Sequence, residues 1–183
     1  ELTKDEVRRI ATDREMPASR RESQDVCFLV GGDYREFLEK RLDEPPRAGQ
    51  IVDLRGRVRG LHSGYYRYTI GQRHGIGIRS RRPFYVVDIV PEANRVVVGR
   101  LRDLYKKKVV AHGLNMLEDV GTRFRALVQV RARMQPTEAD ITVEGDRAII
   151  EFQSPVRAPA RGQAAVFYDG NLVLGGGWIE STE

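Results

Sequence analysis

Residues 124–133 read Phe-Arg-Ala-Leu-Val-Gln-Val-Arg-Ala-Arg, and every even-numbered position is apolar. Because side chains alternate between the two faces of a strand, this period of two places Ala126, Val128 and Val130 on one face. The opposite face carries three arginines, namely Arg125, Arg131 and Arg133. The segment predicts a strand with a buried face and a cationic face. Such a face suits a phosphate backbone, and a plain solvent-exposed face is the alternative.

The rest of the last third of the chain also consists of short strand-like segments. Strand-like runs recur at a spacing of roughly 8–12 residues, which is typical of a small antiparallel barrel. They are Ile141–Val143, Ala148–Phe152, Ala164–Tyr168 and Leu172–Leu174. The turn signals Glu144-Gly145-Asp146 and Asp169-Gly170-Asn171 separate them. The glycine run 175–177, followed by Trp178, is expected to let backbone pass close to a packed neighbour.

Residues 49–108 show a second set of short strands divided by glycine turns. Two hairpins are predicted, Ile51–Leu54 with Val58–Leu61 and Phe84–Val90 with Arg95–Gly99. Tyr65–Ile70 is predicted as a further strand, and its tyrosines could stack on bases or pack in the core. The glycine-punctuated segment 71–77 lacks the spacing of a Walker loop and is interpreted as a loop beside an arginine patch. Residues 106–108, three lysines, are interpreted as a basic hinge at a domain boundary.

The N-terminal part predicts helices. Thr3 and Glu6 have the spacing of a capping box for a helix over 3–15, with Leu2 and Val7 as a hydrophobic staple. A polar run over 18–25 leads into the apolar run 26–30, which predicts a buried strand. A second helix is predicted over 33–42.

Composition sets limits on the class of protein. The chain has 183 residues, 40% of them hydrophobic and 31% charged, which indicates a soluble globular protein. No apolar run approaches the roughly 18 residues needed to cross a bilayer, so no membrane association is expected. The single cysteine excludes an intramolecular disulfide framework and favours a cytoplasmic location. Three scattered histidines favour no metal site.

Charge is unevenly distributed along the chain. Residues 1–110 carry 24 Lys/Arg against 16 Asp/Glu, whereas residues 111–183 carry 7 against 10. Within 51–82 there are eight arginines and a single acid, Asp53. The arginines of such a stretch repel one another unless an anion lies nearby, and RNA phosphate is the usual anion. The alternative is a solvated arginine-rich surface.

Cys27 is the only candidate nucleophile of interest. A thiol reacts as its thiolate, so a working cysteine needs positive charge or a helix N-terminus nearby. Arg20 and Arg21 precede it in sequence. The alternative is a buried structural cysteine beside Val26 and Phe28.

The segment 22–28, Glu-Ser-Gln-Asp-Val-Cys-Phe, resembles the sequence around the second cysteine of the tRNA-specific 2-thiouridylases. Further stretches that resemble this family follow in the same order, at 62–64, 68–77, 83–88, 159–168 and 174–177. Several ordered motifs spread over nearly the whole chain are more specific than any one of them.

The resemblance implies a reaction. In the family, an N-terminal domain binds ATP with magnesium and adenylates the C2 oxygen of the wobble uridine of certain tRNAs. A cysteine then accepts a persulfide from a sulfur-relay protein, delivers the sulfur, and can close a disulfide with an upstream cysteine. By motif match, Cys27 is the persulfide-bearing residue, with Ser23, Gln24 and Asp25 in its supporting loop.

The same resemblance implies an RNA-binding set. The residues expected to contact tRNA are Gln72, Arg73, Arg131, Ala132, Arg133 and Gln163. At 131–133 the family usually reads Arg-Tyr-Arg, so Ala132 removes a stacking side chain. The family's ATP loop and first cysteine are absent from this sequence, so the chain alone is expected to bind no cofactor and to be inactive without the missing adenylating domain.

The predicted fold class is mainly β with a short helical N-terminal segment, a small β-rich central domain and a C-terminal antiparallel six-stranded barrel that resembles a translation-factor barrel. The expected division is 1–34 for the tail of the adenylating domain with the cysteine loop, 35–108 for the basic central domain and 109–183 for the barrel. Two alternatives are a stand-alone RNA-binding module with a structural cysteine and a tRNA methyltransferase. The second would need a pocket for S-adenosylmethionine, and no glycine-rich strand-to-helix turn of that kind is found in the sequence.

Overall fold

The structure, a computed structural model, describes residues 2–14, 38–41, 47–132 and 134–183. The chain divides into two compact units, 1–45 and 46–183. No helix within these described ranges is long and apolar enough to cross a membrane.

Helix α1, Lys4–Asp13, belongs to the first unit. The predicted capping box is confirmed, because the Glu6 carboxylate accepts from the Thr3 N–H at 2.7 Å and the Glu6 N–H donates to Thr3 Oγ1 at 3.4 Å. Of the second predicted helix only its end is described, with residues 38–39 helical and 40–41 in a turn. The predicted strand over 26–30 lies outside the described residues.

A four-stranded sheet opens the second unit. Its strands are β1 Gly49–Asp53, β2 Val58–His62, β3 Tyr85–Val90 and β4 Arg95–Gly99, in the order β2-β1-β4-β3. Both predicted hairpins are confirmed, and the pairing of β1 with β4 is parallel. Asn94 closes the second hairpin in the left-handed region, with φ 48°, which asparagine tolerates better than most residues.

Two of the three tyrosines between the hairpins pack against the core of this sheet. Ile51, Val86 and Val96 are completely buried in that core, and Tyr65 and Tyr68 lie against it. The predicted strand over 65–70 is wrong, since residues 65–67 form a 3₁₀ turn. Side chains three residues apart eclipse in a 3₁₀ turn, so this geometry lets both tyrosines face the core.

A closed antiparallel barrel follows the sheet and confirms the prediction of six strands. The strands are β5 Tyr105–Met116, β6 Arg123–Gln129, β7 Thr137–Glu144, β8 Arg147–Arg157, β9 Ala164–Asp169 and β10 Leu172–Thr182. They close in the order β10-β5-β8-β7-β6-β9. Val128, Ile141, Ile150 and Phe167 point inward and are at most 1% exposed. Each such side chain contributes about 1.5–3 kcal/mol by leaving water.

The interpretation of residues 106–108 as a hinge is wrong, because they lie in β5. Lys106 and Lys108 pair with Val156 and Glu151 of β8. A barrel strand needs apolar side chains only on its inner face, and β5 supplies them at Val109 and Ala111. The lysines occupy the start of the strand, where the alternation has not yet begun.

Close backbone packing at the glycine run of β10 is confirmed. A Cβ on Gly176 would lie 2.5 Å from the Ala165 carbonyl oxygen of β9, and one on Gly177 would lie 2.8 Å from the His112 carbonyl oxygen of β5. Neither distance is compatible with a side chain, so these glycines let β10 pass between its neighbours.

Candidate nucleic-acid interface

A cleft of about 560 Å³ lies where the glycine-punctuated segment meets the barrel. Its lining residues are Gly71, Arg131, Ala132, Met134, Arg157 and Gln163. Three of the residues predicted to bind RNA, Arg131, Ala132 and Gln163, therefore share one cleft although 31 or more positions separate Gln163 from the other two. Among the described residues that line it there are two arginines and no carboxylate, so the cleft favours an anion.

Arg131 sits in a turn rather than in a strand, which corrects the prediction for 124–133. Strand β6 ends at Gln129, whose side-chain amide donates to the carbonyl oxygens of Met134 at 2.8 Å and Ala132 at 3.4 Å. The Met134 N–H donates to the Arg131 carbonyl at 3.0 Å. Because Gln129 satisfies these carbonyls, the chain turns at the barrel's end and places Arg131 and Ala132 at the cleft.

Tyr168 supports the turn from the neighbouring strand β9. Its hydroxyl donates to Gln129 Oε1 at 3.3 Å, so both atoms of that amide are engaged. Gln129 and Tyr168 act as positioning residues for the turn. Sequence reasoning missed this role, since an amide that bonds across a turn leaves no local signature.

Gly71 brings the central segment to the cleft. Its N–H donates to the Val86 carbonyl at 2.8 Å, and the Val86 N–H donates to the Gln72 carbonyl at 3.0 Å, so the segment is bonded to the edge of β3. Gly71 has φ 88°, a conformation that favours glycine. A Cβ there would lie 3.5 Å from Arg131 Nη1. The absence of a side chain thus leaves space beside the guanidinium.

Gln163 reaches the cleft from the loop between β8 and β9. Its backbone is fixed, because its N–H donates to the Ala160 carbonyl at 3.2 Å and its carbonyl accepts from the Ile179 N–H at 2.8 Å. Its Oε1 atom is buried and has no hydrogen-bond partner among the residues that the structure describes. An unpaired buried acceptor costs free energy, and a donor supplied by a bound ligand or an ordered water would relieve that cost.

The same loop contains strained backbone. Ala158 is 1% exposed and has φ 53°, an uncommon conformation for a residue with a Cβ. Its N–H donates to the Leu104 carbonyl at 2.8 Å, and its Cβ would lie 3.4 Å from a Cβ on Gly71. Packing holds Ala158 in this conformation, which is typical of residues that border functional sites.

The remaining predicted site residues are distributed as follows. Gln72 stabilises its own loop, since its Oε1 accepts from the Thr69 N–H at 3.1 Å and its Nε2 donates to the His74 carbonyl at 2.9 Å. Arg73 is exposed. Ser23, Gln24, Asp25, Cys27 and Arg133 lie outside the described residues. Arg157 lines the cleft and was missed, because the predicted strand over 148–152 in fact extends to it.

The arginine-rich stretch 51–82 contains an anionic side chain, that of Asp53. Asp53 is 8% exposed, and its carboxylate accepts from Arg57 Nε and Arg59 Nη2 at 3.0 and 2.7 Å. Burial alone would raise the pKa of Asp53. The hydrogen bonds from the Arg59 side chain and from the Arg57 and Arg55 backbone outweigh it and hold the pKa well below its ordinary range. Two of the eight arginines therefore have a structural role.

The sheet and the barrel correspond to two successive domain families of tRNA-modifying enzymes. Residues 35–100 match the family model described as "tRNA methyl transferase PRC-barrel domain". Residues 106–179 match "Aminomethyltransferase beta-barrel domain".

Comparison with curated proteins identifies the family to which the chain belongs. The chain is 43% identical to the tRNA-specific 2-thiouridylase MnmA of Carboxydothermus hydrogenoformans, over 98% of this chain and 50% of that protein. It is 44% identical to the protein of the same name from Chlorobium phaeovibrioides, over 99% of this chain and 53% of that protein. The chain belongs to the tRNA-specific 2-thiouridylase family, and it spans about half the length of the curated relatives it matches.

Proposed function

We propose that this chain is the sulfur-carrying and RNA-binding part of an ATP-dependent tRNA sulfurtransferase that converts the wobble uridine to 2-thiouridine in the cytoplasm. The observation that carries the proposal is the cleft that contains Arg131 and Gln163. The resemblance predicted these two residues, and the structure adds Gly71 and Arg157 to the lining. Two guanidiniums and an unsatisfied amide oxygen suit a polyanion that also carries hydroxyl donors. RNA has both, in its phosphates and its 2′-hydroxyls.

We propose a division into 1–34, 35–108 and 109–183, with the first residues of strand β5, 105–108, crossing the second boundary. Gln163 would accept from a ribose hydroxyl or a base N–H, while Arg131 and Arg157 would bind phosphate oxygens. Ala132 offers no stacking surface, so the contact at this turn would be polar. Gln72 would act by holding the loop that carries Arg73.

The chemistry proposed for this chain is confined to Cys27. A persulfide on Cys27, supplied by a sulfur-relay protein, presents its terminal sulfur as a nucleophile for C2 of uridine. The new C–S bond forms as the activated O2 leaves, and the S–S bond must then be cleaved by a second thiol. This sequence has one cysteine, so that thiol would come from elsewhere in the enzyme.

The described residues do not fit an ATP site. The segment 71–77 runs from a sheet-edge pairing into a loop and not from a strand into a helix N-terminus, which is the geometry of a phosphate loop. ATP with magnesium would bind in an adenylating domain outside this sequence.

The test is a sulfur-transfer assay in a polypeptide that carries an adenylating domain ahead of this sequence. Labelled persulfide donor and cognate tRNA are supplied, and 2-thiouridine is measured by mass spectrometry. Cys27→Ser should abolish product while leaving tRNA affinity unchanged. The matched control Arg131→Gln should weaken tRNA affinity and still give product at saturating tRNA. Undiminished product from Cys27→Ser would leave this chain as an RNA-binding platform with a structural cysteine.

A further inference from the structure

The loop of residues 79–83, Arg-Ser-Arg-Arg-Pro, carries three arginines and no acidic residue. Arg79, Arg81 and Arg82 are exposed and make no ion pair with the part of the chain that the structure describes. They differ in this from Arg57 and Arg59, which share the Asp53 carboxylate. Three like charges within four positions repel one another unless an anion comes between them.

The loop is anchored at both ends. Ile78 and Phe84, the residues that flank it, pack against the buried core of the sheet. Arg100, at the end of β4, donates through Nη1 to the carbonyl oxygens of Arg82 at 2.7 Å and Pro83 at 3.0 Å. The loop backbone is therefore fixed although its arginine side chains point into solvent.

Phe84 connects this anchor to the first hairpin. The Arg100 guanidinium carbon lies 4.0 Å from the centre of the Phe84 ring, and that of Arg59 lies 5.9 Å from it. Arg59 is in turn held by Asp53. A guanidinium at this distance from an aromatic ring is attracted to the face of the ring. A chain of contacts from Asp53 to Arg100 thus fixes the base of the loop.

We infer that the 79–83 loop is a preorganised binding site for the phosphate backbone of RNA. Arg79, Arg81 and Arg82 bind phosphates, and Arg100 positions the loop that carries these three arginines. This inference rests on the proposed function, since RNA is the polyanion the relatives' names imply, and it assigns a second RNA contact away from the cleft residues. Arg100 donates to both carbonyls through one nitrogen, Nη1, while its planar guanidinium stacks on Phe84. Lysine has no planar group with which to make that stack. Fixing the loop before binding lowers the entropy cost of association.

The test measures tRNA affinity of the complete chain between about 0.05 and 0.3 M salt, a range in which counterion release dominates. In the triple variant Arg79→Gln, Arg81→Gln, Arg82→Gln, the slope of log K against log salt should become shallower by about 2–3, at roughly 0.7–0.9 per phosphate. If the two proteins converge near 1 M salt, this corresponds to roughly a hundred- to thousandfold weaker binding at 0.1 M. The probe is an in vitro transcribed tRNA with a wobble uridine.

A matched control removes the same charge elsewhere. Arg95, Arg102 and Arg123 are exposed, and their joint change to glutamine lowers the net charge equally. The control should keep the wild-type slope. If the two triple variants show the same slope and affinity, the loop is not a specific phosphate-binding site and only net charge affects binding. That result overturns the inference but not the proposed function. Failure of the wild-type chain to bind tRNA at all would overturn both.

Arg100→Lys tests the positioning role with net charge held constant. It should weaken tRNA binding several-fold while the melting temperature of the unbound chain changes by only a few degrees. Wild-type affinity in this variant would show that the loop needs no preorganisation by Arg100.

Discussion

Replacing Gln163 by methionine should raise stability and lower RNA affinity together. Within the described part of the chain Gln163 Oε1 is buried without a partner, and a buried unsatisfied acceptor costs about 1–3 kcal/mol. Methionine has a similar length and no acceptor to satisfy, so it should recover up to that amount. For a chain of this size, each kcal/mol corresponds to roughly 2–4 °C in melting temperature. The thermal midpoint should therefore rise by several degrees.

The same change should weaken tRNA binding about three- to tenfold, since a hydrogen bond contributes a net 0.5–1.5 kcal/mol. Calorimetry and binding titrations would be run beside Gln50→Met, a control at an exposed position of β1, which should shift stability by no more than about 0.5 kcal/mol. A Gln163→Met variant that is less stable than wild type and binds tRNA normally would refute the reasoning, because the amide would then serve the fold and not a ligand.

Two further predictions concern the folded state. Phe167 is completely buried in the barrel, and Phe167→Ala should lower the free energy of unfolding by about 3–5 kcal/mol in urea titrations; a loss below about 1 kcal/mol would contradict the barrel interior described here. His62 is buried and neutral, because its Nδ1 accepts from the Gly64 N–H at 3.1 Å and its Nε2 donates to the Asn94 carbonyl at 3.2 Å. Burial lowers the pKa of His62 below the ordinary 6.5. The unfolded chain then binds the proton more readily, so stability should be full above about pH 6.5 and decline as the pH falls below it. Urea midpoints at about pH 7 and pH 5.5 should differ more for wild type than for His62→Gln, and equal differences would refute the role of His62.

The strands that alternate in sequence were predictable, and those whose ends depend on distant contacts were not. The inward face of β6 follows from Ala126 and Val128, but its end at Gln129 depends on an amide that bonds to Met134 and on the Tyr168 hydroxyl. Strand β5 escaped prediction because three lysines precede its alternating part. Its partners, β8 and β10, lie far along the chain, so no local pattern indicates its start.

The candidate site was predictable in composition but not in arrangement. The resemblance pointed to Arg131 and Gln163, but no local pattern places Gly71 or Arg157 beside them. The charge pattern over 51–82 was apparent, but its division into arginines held by Asp53 and arginines left in solvent is a property of tertiary packing. Charge counts along a sequence cannot make that distinction.

The seam of the barrel joins its first strand to its last. Strand β5 begins at Tyr105 and pairs with β10, which ends at Thr182, while the N–H groups of Lys107 and Lys108 donate to the Glu183 carbonyl at 3.1 Å. During synthesis, β5 to β9 would emerge as an open sheet with two unpaired edges, and open edges are sites of aggregation. Closure must wait for strand β10, which pairs with both β5 and β9. A nascent chain stalled or cleaved before β10 would expose those edges, so the yield of folded protein should depend on completing these few residues.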